Sequence, residues 1–321
     1  MTTLSRRQVL RGGLLAASAL PLLACAPGAS EQTGQPANLR VADQNGGYRS
    51  QLTASQALNG TSYQVQWSDF PAAQPLLEAI RAGACDVGIA GDAPTLTAFA
   101  AKAPIKVIGV LHRNPTGTAI LVPANSPVAS VTDLRGKSIS PTTRGSIGHY
   151  LVLKALERDR LAPDSVTFNF LQPTEARTAF ESGNITAWST WDPYTAAAQV
   201  SGARVLTTAE GLSAGHTYLV AAEEALEDQA KRAALADLVG RYKQAWDWTN
   251  ANRDAYAKIY AENTGISPAA SELIQNRSPF TAVPIDDSVV AALQAVAADY
   301  RRAGFLPQEV NVDPLFERSL A

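Results

Sequence analysis

Residues 82–94, AGACDVGIAGDAP, and residues 182–193, SGNITAWSTWDP, say nearly the same thing 100 positions apart. In each, a glycine (Gly83, Gly183) stands nine residues before an aspartate (Asp92, Asp192), an apolar run fills the interval, and a proline follows (Pro94, Pro193). The upstream flanks also match, LLEAIRAG (76–83) against ARTAFESG (176–183). Solenoid repeats recur every ~20–50 residues, so one recurrence at this distance points instead to two similar half-molecules. Each copy reads as an amphipathic helix stopped by glycine, a short buried strand, and a second helix opening near the aspartate.

The surrounding text keeps that rhythm. LRVAD (39–43), SYQVQWSDF (62–70), IKVIGVL (105–111) and AILVP (119–123) read as strands, with helical segments between the first ones. After SPVASVTDLRG the alternation restarts with KSIS, SIGHYLVLKALERD, VTFNFL and TEARTAFESG. Such alternation predicts an α/β fold of parallel sheets covered on both faces. At 321 residues the chain exceeds the size of a single core, which favours two lobes. From about residue 223 the pattern is helical to the end, and those helices need a sheet to cover. The expected division is therefore 38–121 with 223–321 in lobe 1 and 122–222 in lobe 2. The chain would cross near Pro123 and again near Val220, which is hinge architecture.

The first 24 residues carry Arg6, Arg7 and Arg11 ahead of an apolar run too short to span a membrane, and read as a secretion signal. The paired arginines fit twin-arginine export, and the same layout also serves the Sec route. LLAC (22–25) is similar to a bacterial lipobox, making Cys25 a lipidation site and residues 25–37 a flexible tether. The expected location is the outer face of the cytoplasmic membrane. Cys85 then has no disulfide partner and reads as a small buried residue. Without the signal, the 27 Lys+Arg fall by its three arginines to 24 against 29 Asp+Glu, a balance that argues against a nucleic-acid partner.

In open α/β sheets ligands bind beyond the carboxyl ends of the strands. Four strand-to-helix turns have the right character: DQNGGY (43–48), AGDAPT (90–95), TTRGSIGHY (142–150) and STWDPY (189–194). Each starts a helix, whose first N–H groups and positive dipole end suit an anion. Asp92 reads as an N-cap with Pro94 in the first turn. Gly145 and Ser146 allow close backbone approach, and His149 shares a helix face with Ser146. Trp191, beside Asp192, is better placed to reach a cleft than Trp188, while Arg113 and Arg144 read as surface residues, either of which could reach an anion bidentately. Nothing matches the common hydrolase, metalloprotease or P-loop signatures. His112, His149 and His216 lack metal-ligand spacing, so neither catalysis, metal nor cofactor is expected.

Together DQNGG, FPAAQPLLEAIRAGACDVGIAGDAP, AILVPANSPVASVTDLRGK, RGSIGHYLVLKALE and ARTAFESGNITAWSTWDPY resemble the substrate-binding proteins of ABC importers for aliphatic sulfonates, taurine and nitrate, the sulfonate branch most of all. The resemblance runs from about residue 39 to 316. It implies a two-lobed, type II periplasmic-binding-protein-like fold that closes on a small organic anion and delivers it to a membrane permease, as a monomer without turnover. It implies that Gly46, Gly47, Gly91 and Asp92 line one side of the cleft, and Gly145, Ser146, His149, Trp191 and Asp192 the other, with His216 near the crossover. Arg144 departs from the lysine common in sulfonate binders, Ile147-Gly148 from serine-alanine, and Thr186 from an acidic residue. Taurine, nitrate and thiamine or pyrimidine precursors are rival ligands within the fold. A secreted sulfate or phosphate ester hydrolase and a sensor subunit are rival functions outside it.

Overall fold

The computed structural model describes residues 36–277 and 279–320. The signal segment, Cys25 and the tether up to residue 35 lie outside the described residues. In chain order the first part contains β1 (Asn38–Gln44), α1 (Gly47–Ala54), β2 (Gln64–Phe70), α2 (Ala73–Arg81), β3 (Val87–Gly91), α3 (Asp92–Ala100) and β4 (Ile105–Arg113). The middle part contains β5 (Thr118–Val122), β6 (Ser138–Ser140), α4 (Ile147–Arg158), β7 (Thr167–Phe168), α5 (Pro173–Glu181), β8 (Ala187–Trp191), α6 (Tyr194–Val200) and β9 (Arg204–Thr208). Then follow β10 (His216–Ala222), α7 (Glu223–Glu227), α8 (Gln229–Ala251), α9 (Arg253–Thr264), α10 (Pro268–Asn276), β11 (Phe280–Val283) and α11 (Asp287–Arg302).

The strands form two sheets, ordered β11-β4-β10-β3-β1-β2 and β7-β6-β8-β5-β9. The inner order of the first, β2-β1-β3-β10-β4, matches the whole of the second position by position. This is the structural form of the repeat: β1, β2 and β3 correspond to β6, β7 and β8, and α2 corresponds to α5. Both glycines end their helices in the same way. Gly83 and Gly183 take φ of +69° and +75°. The Gly83 amide donates to Ile80 and the Ala84 amide to Ala79, while Gly183 donates to Phe180 and Asn184 to Ala179. That pattern is a Schellman cap, which favours glycine because it needs the left-handed region.

The division between lobes departs from the expectation. β5 pairs with β8 and β9, and so belongs to the second sheet from Thr118 onward. β10 pairs with β3 and β4, so it belongs to the first sheet from His216 onward. The crossings therefore lie at residues 114–117 and 209–215 rather than near Pro123 and Val220. AILVP and TYLVAA are both buried apolar runs, and which sheet such a strand joins is decided by hydrogen-bond register, not by its own composition. The sheets are also mixed rather than parallel. β5 and β10 each follow a crossing and run antiparallel to their neighbours. The helical C-terminal part contains one strand, β11, which adds antiparallel to β4.

Packing follows the periodicity. α2 buries Ala73, Leu76, Leu77 and Ile80, one stripe of a 3.6-residue helix, and each of the three larger side chains contributes about 1.5–3 kcal/mol. Along β5 the faces alternate: Ile120 and Val122 join the core beneath α4, whereas Ala119 and Leu121 join Phe180, Ile185 and Trp188 on the α5 side. Cys85 is buried and unpaired with sulfur.

Candidate functional site

The strand ends that the repeat brings together face each other across the gap between the sheets. A chamber of about 90 Å³ lies there. Its walls include Gly47, Tyr48 and Gln74 from the first lobe, Ser146, Ile147 and Trp191 from the second, and Arg113 at the carboxyl end of β4. A second chamber of about 70 Å³ lies toward the crossings and is lined by Asp92, Tyr150, Ser213 and His216. Gly91, Arg113, Ile147, Trp191, Asp192 and Thr217 border both.

The helix starts differ from one another. At α1 the end is already occupied: the Asp43 carboxylate accepts from the amides of Gln44, Tyr48 and Arg49 at 2.8, 3.2 and 2.9 Å. Burial nevertheless pushes that carboxyl up to about 6 against those bonds. At α3 the N-cap is Gly91, not Asp92; Asp92 is the first helical residue, and its Oδ1 accepts from the Ala93 amide at 2.7 Å. At α4, Ser146 is the N-cap. Its Oγ accepts from the His149 amide at 3.1 Å and donates to the Pro141 carbonyl at 2.9 Å. The amides of Ile147 and Gly148 find no backbone or side-chain acceptor among the described residues, and Ser146 and Ile147 border the main chamber. At α6, Asp192 Oδ1 accepts from the Ala196 amide at 3.1 Å and pairs with Arg277.

Five residues expected from sequence, Gly47, Gly91, Ser146, Trp191 and Asp192, border the main chamber, and Asp92 and His216 border the second. Gly46, Gly145 and His149 border neither. His149 turns into the protein. Its Nδ1 accepts from the Gly145 amide at 3.2 Å, and Phe168, Phe170 and Phe305 meet its ring edge-on at 5.5, 5.2 and 5.1 Å. Burial, with Arg144 nearby, lowers its pKa to about 4, so the ring is neutral and holds backbone rather than an anion. Helix spacing puts Ser146 and His149 on one face but does not say whether that face meets a cleft or a core. Arg144 is likewise absent from the chambers; its guanidinium lies over Phe170 and Phe305 at 5.4 and 5.1 Å.

Of the two arginines read as surface residues able to reach an anion, Arg113 is the one that borders the chambers. It is half-buried, with Nη1 3.4 Å from the Tyr48 hydroxyl and its guanidinium 5.2 Å from the Phe280 ring centroid. Burial works against its charge, the Asp192 carboxylate works for it, and the balance leaves its pKa above the ordinary arginine value, so the guanidinium stays charged. The available signal was position: IKVIGVLHR ends at Arg113, at the strand edge where α/β ligands sit.

The lobes touch around these chambers. Thr143 Oγ1 donates to Gln74 at 2.7 Å, the Tyr194 hydroxyl donates to the Pro71 carbonyl at 3.0 Å, and the Tyr150 hydroxyl donates to Asp299 at 2.7 Å. The structure thus has a cation, a free helix start and aromatic walls gathered between two contacting lobes, the arrangement of a solute-binding cleft.

A model of the NMT1/THI5-like family matches residues 71–256. The chain belongs to that family. A relative in Escherichia coli (strain K12), named for aliphatic sulfonate binding, is 31% identical over 86% of this chain and 88% of its own length. Among solved structures, the MOPS-bound alkanesulfonate-binding protein of Xanthomonas axonopodis pv. citri superposes with a TM-score of 0.82 at 31% identity, covering 89% of this chain and all of the other. The periplasmic aliphatic sulphonate binding protein of Escherichia coli does so with 0.76 at 30%, covering 87% and 97%. The fold of this NMT1/THI5-like chain is accordingly that of the periplasmic binding proteins, two lobes joined by a two-segment crossing.

Proposed function

We propose that this chain is an exported solute-binding protein of an ABC importer that closes on an aliphatic sulfonate between its lobes and carries it to a membrane permease. The observation that carries the reading is Arg113 and the open start of α4 bordering one chamber between the lobes, in a chain close to proteins named for sulfonates. A sulfonate stays ionised at any physiological pH, so it needs charge and N–H donors but no proton transfer. Each charge-assisted hydrogen bond contributes roughly 1.5–3 kcal/mol and a partly buried helix end up to about 2 kcal/mol. A few of these reach the roughly 8 kcal/mol of micromolar binding after ordering costs.

In this reading Gly47, Gly91, Ser146 and Trp191 shape the chamber around the ligand, and Arg113 supplies the charge. Asp192, neutralised by Arg277, fixes the α6 turn. Gly46, Gly145 and His149 support the walls from behind. The protein acts as a monomer and turns nothing over. The signal and LLAC sequence favour a lipid anchor at Cys25, which Cys25→Ser would abolish, releasing the protein from the membrane fraction. Binding is tested by thermal shift with alkanesulfonates of two to eight carbons, nitrate and thiamine precursors. Stabilisation by sulfonates alone supports the assignment. Stabilisation by nitrate or a precursor with none from any sulfonate at millimolar concentration overturns it.

A further inference from the structure

We infer that Arg277, which borders neither chamber, sets the charge of the main one: it reaches from lobe 1 to the Asp192 carboxylate of lobe 2 and so leaves Arg113 free for the ligand. This rests on the sulfonate reading and adds to it a positioning residue that acts through Asp192 without touching the anion. Among the described residues that border the main chamber, only Arg113 and Asp192 carry charge. Those two cancel, so the lining by itself has no net pull on an anion.

The correcting pair is built across the lobes. Arg277 is the C-cap of α10, its Nη1 donates to Asp192 Oδ1, and its Nη2 donates to Gln199 Oε1 on α6. Apolar contact seats α6 in the same place: Ala196 joins Tyr256, Tyr260, Ala270 and Ile274 of α9 and α10 in one buried cluster. The Asp192 side chain is 4% exposed and that of Arg277 15%, so water and salt screen the pair little. The first crossing holds Asp192 from the other side. Its amide donates to the Gly117 carbonyl at 3.0 Å, and a Cβ on Gly117 would fall 2.6 Å from its Oδ2. The carboxylate has little room to turn away from Arg277.

Both arginines act on this one carboxylate. Burial pushes the Asp192 carboxyl up, while Arg277 first and Arg113 after it work to keep it ionised. With Arg277 in place Asp192 is answered, and the Arg113 side chain, which donates only to Tyr48 among the described residues, keeps its charge for a ligand. A buried carboxylate stripped of its partner is costly. Without Arg277, Asp192 would take Arg113 as its counter-ion or stand as a like charge beside the sulfonate. Either way the anion loses its hold.

Calorimetry of butane-1-sulfonate binding to the full mature protein and its variants tests this. Arg277→Gln should weaken binding by about tenfold or more, and Arg277→Gln combined with Asp192→Asn should return the affinity to within about threefold of the unaltered protein. Asparagine keeps an Oδ1 for the Ala196 amide, so the double variant removes the charges and preserves the turn. A merely mechanical tie between the lobes would be lost in the double variant as well. Equal loss in Arg277→Gln and in the double variant therefore overturns the inference, as does an unchanged affinity in Arg277→Gln. Should Arg277→Gln fail to fold by circular dichroism, the double variant, which buries no unpaired charge, is the deciding protein: affinity within about threefold supports the inference and a loss of about tenfold or more overturns it. These variant outcomes leave the sulfonate reading intact. Failure of the unaltered protein to bind any alkanesulfonate overturns that reading and this inference together.

Discussion

Arg113 shows how one side chain changes the chemistry of the cleft. Helix starts alone would hold an anion with partial charges, and one of them, at α1, is already taken by Asp43. A guanidinium braced by Tyr48 and Phe280 supplies a full charge in a preorganised fork. Arg113→Gln should therefore weaken sulfonate binding by about 30- to 100-fold, the equivalent of ~2–3 kcal/mol, with a calorimetric titration as the check. A change under about threefold would place the anion elsewhere. His149 makes a prediction of the opposite kind, on stability. Its folded pKa of about 4 lies below the ordinary histidine value of 6.5. Between those values the unfolded chain binds a proton that the folded chain refuses, so stability is lost as pH falls from about 6.5 toward 4. A gap of that size corresponds to about 3 kcal/mol. His149→Gln keeps an acceptor for Gly145 and should flatten that part of the acid limb in urea unfolding; an unchanged limb would show that His149 does not titrate this way. At this scale the sequence was a partial guide. The glycines that end α2 and α5 are legible because their backbone roles are local, the α3 cap was read one residue late at Asp92, and the direction a histidine or arginine faces depends on distant residues such as Phe305 and Phe280.

The helix–glycine–strand unit was legible because each of its parts is fixed locally: the apolar stripe of α2, the Schellman glycine, the buried strand after it. Gly183 has open space where a Cβ would go, so its requirement is conformational alone. Gly183→Ala should cost about 1 kcal/mol through the positive φ, measured by chemical denaturation, and a neutral result would show that the turn relaxes. The partners of β5 and β10, by contrast, were not legible. Each is a short apolar run that would satisfy either sheet, and its placement is set by the crossing that precedes it. β11 was missed for a related reason: four residues at an edge of the sheet carry too little pattern to interrupt a helical reading.

At the scale of the whole molecule the two lobes meet through close, specific contacts. Gly91 has an ordinary φ of −67°, but a Cβ there would fall 2.6 Å from Ile147 Cγ2 on the facing lobe. Gly91→Ala should therefore disfavour the closed arrangement and weaken sulfonate binding by about tenfold. Adding Ile147→Ala to that variant removes the obstructing branch and should recover most of the loss, as read by calorimetry. Absence of recovery would mean that Gly91 acts through something other than closure. The two-lobed plan was legible from the repeat and the chain length, while the exact crossing points were not. The central claim is that a sulfonate sits between the lobes against Arg113 and the start of α4. Crystals of the protein with an alkanesulfonate test it most directly. The sulfonate oxygens should lie within hydrogen-bond distance of the Arg113 guanidinium and the Ile147 amide. A sulfonate found outside the chamber, with Arg113 still held only by Tyr48 and Phe280, would contradict the account.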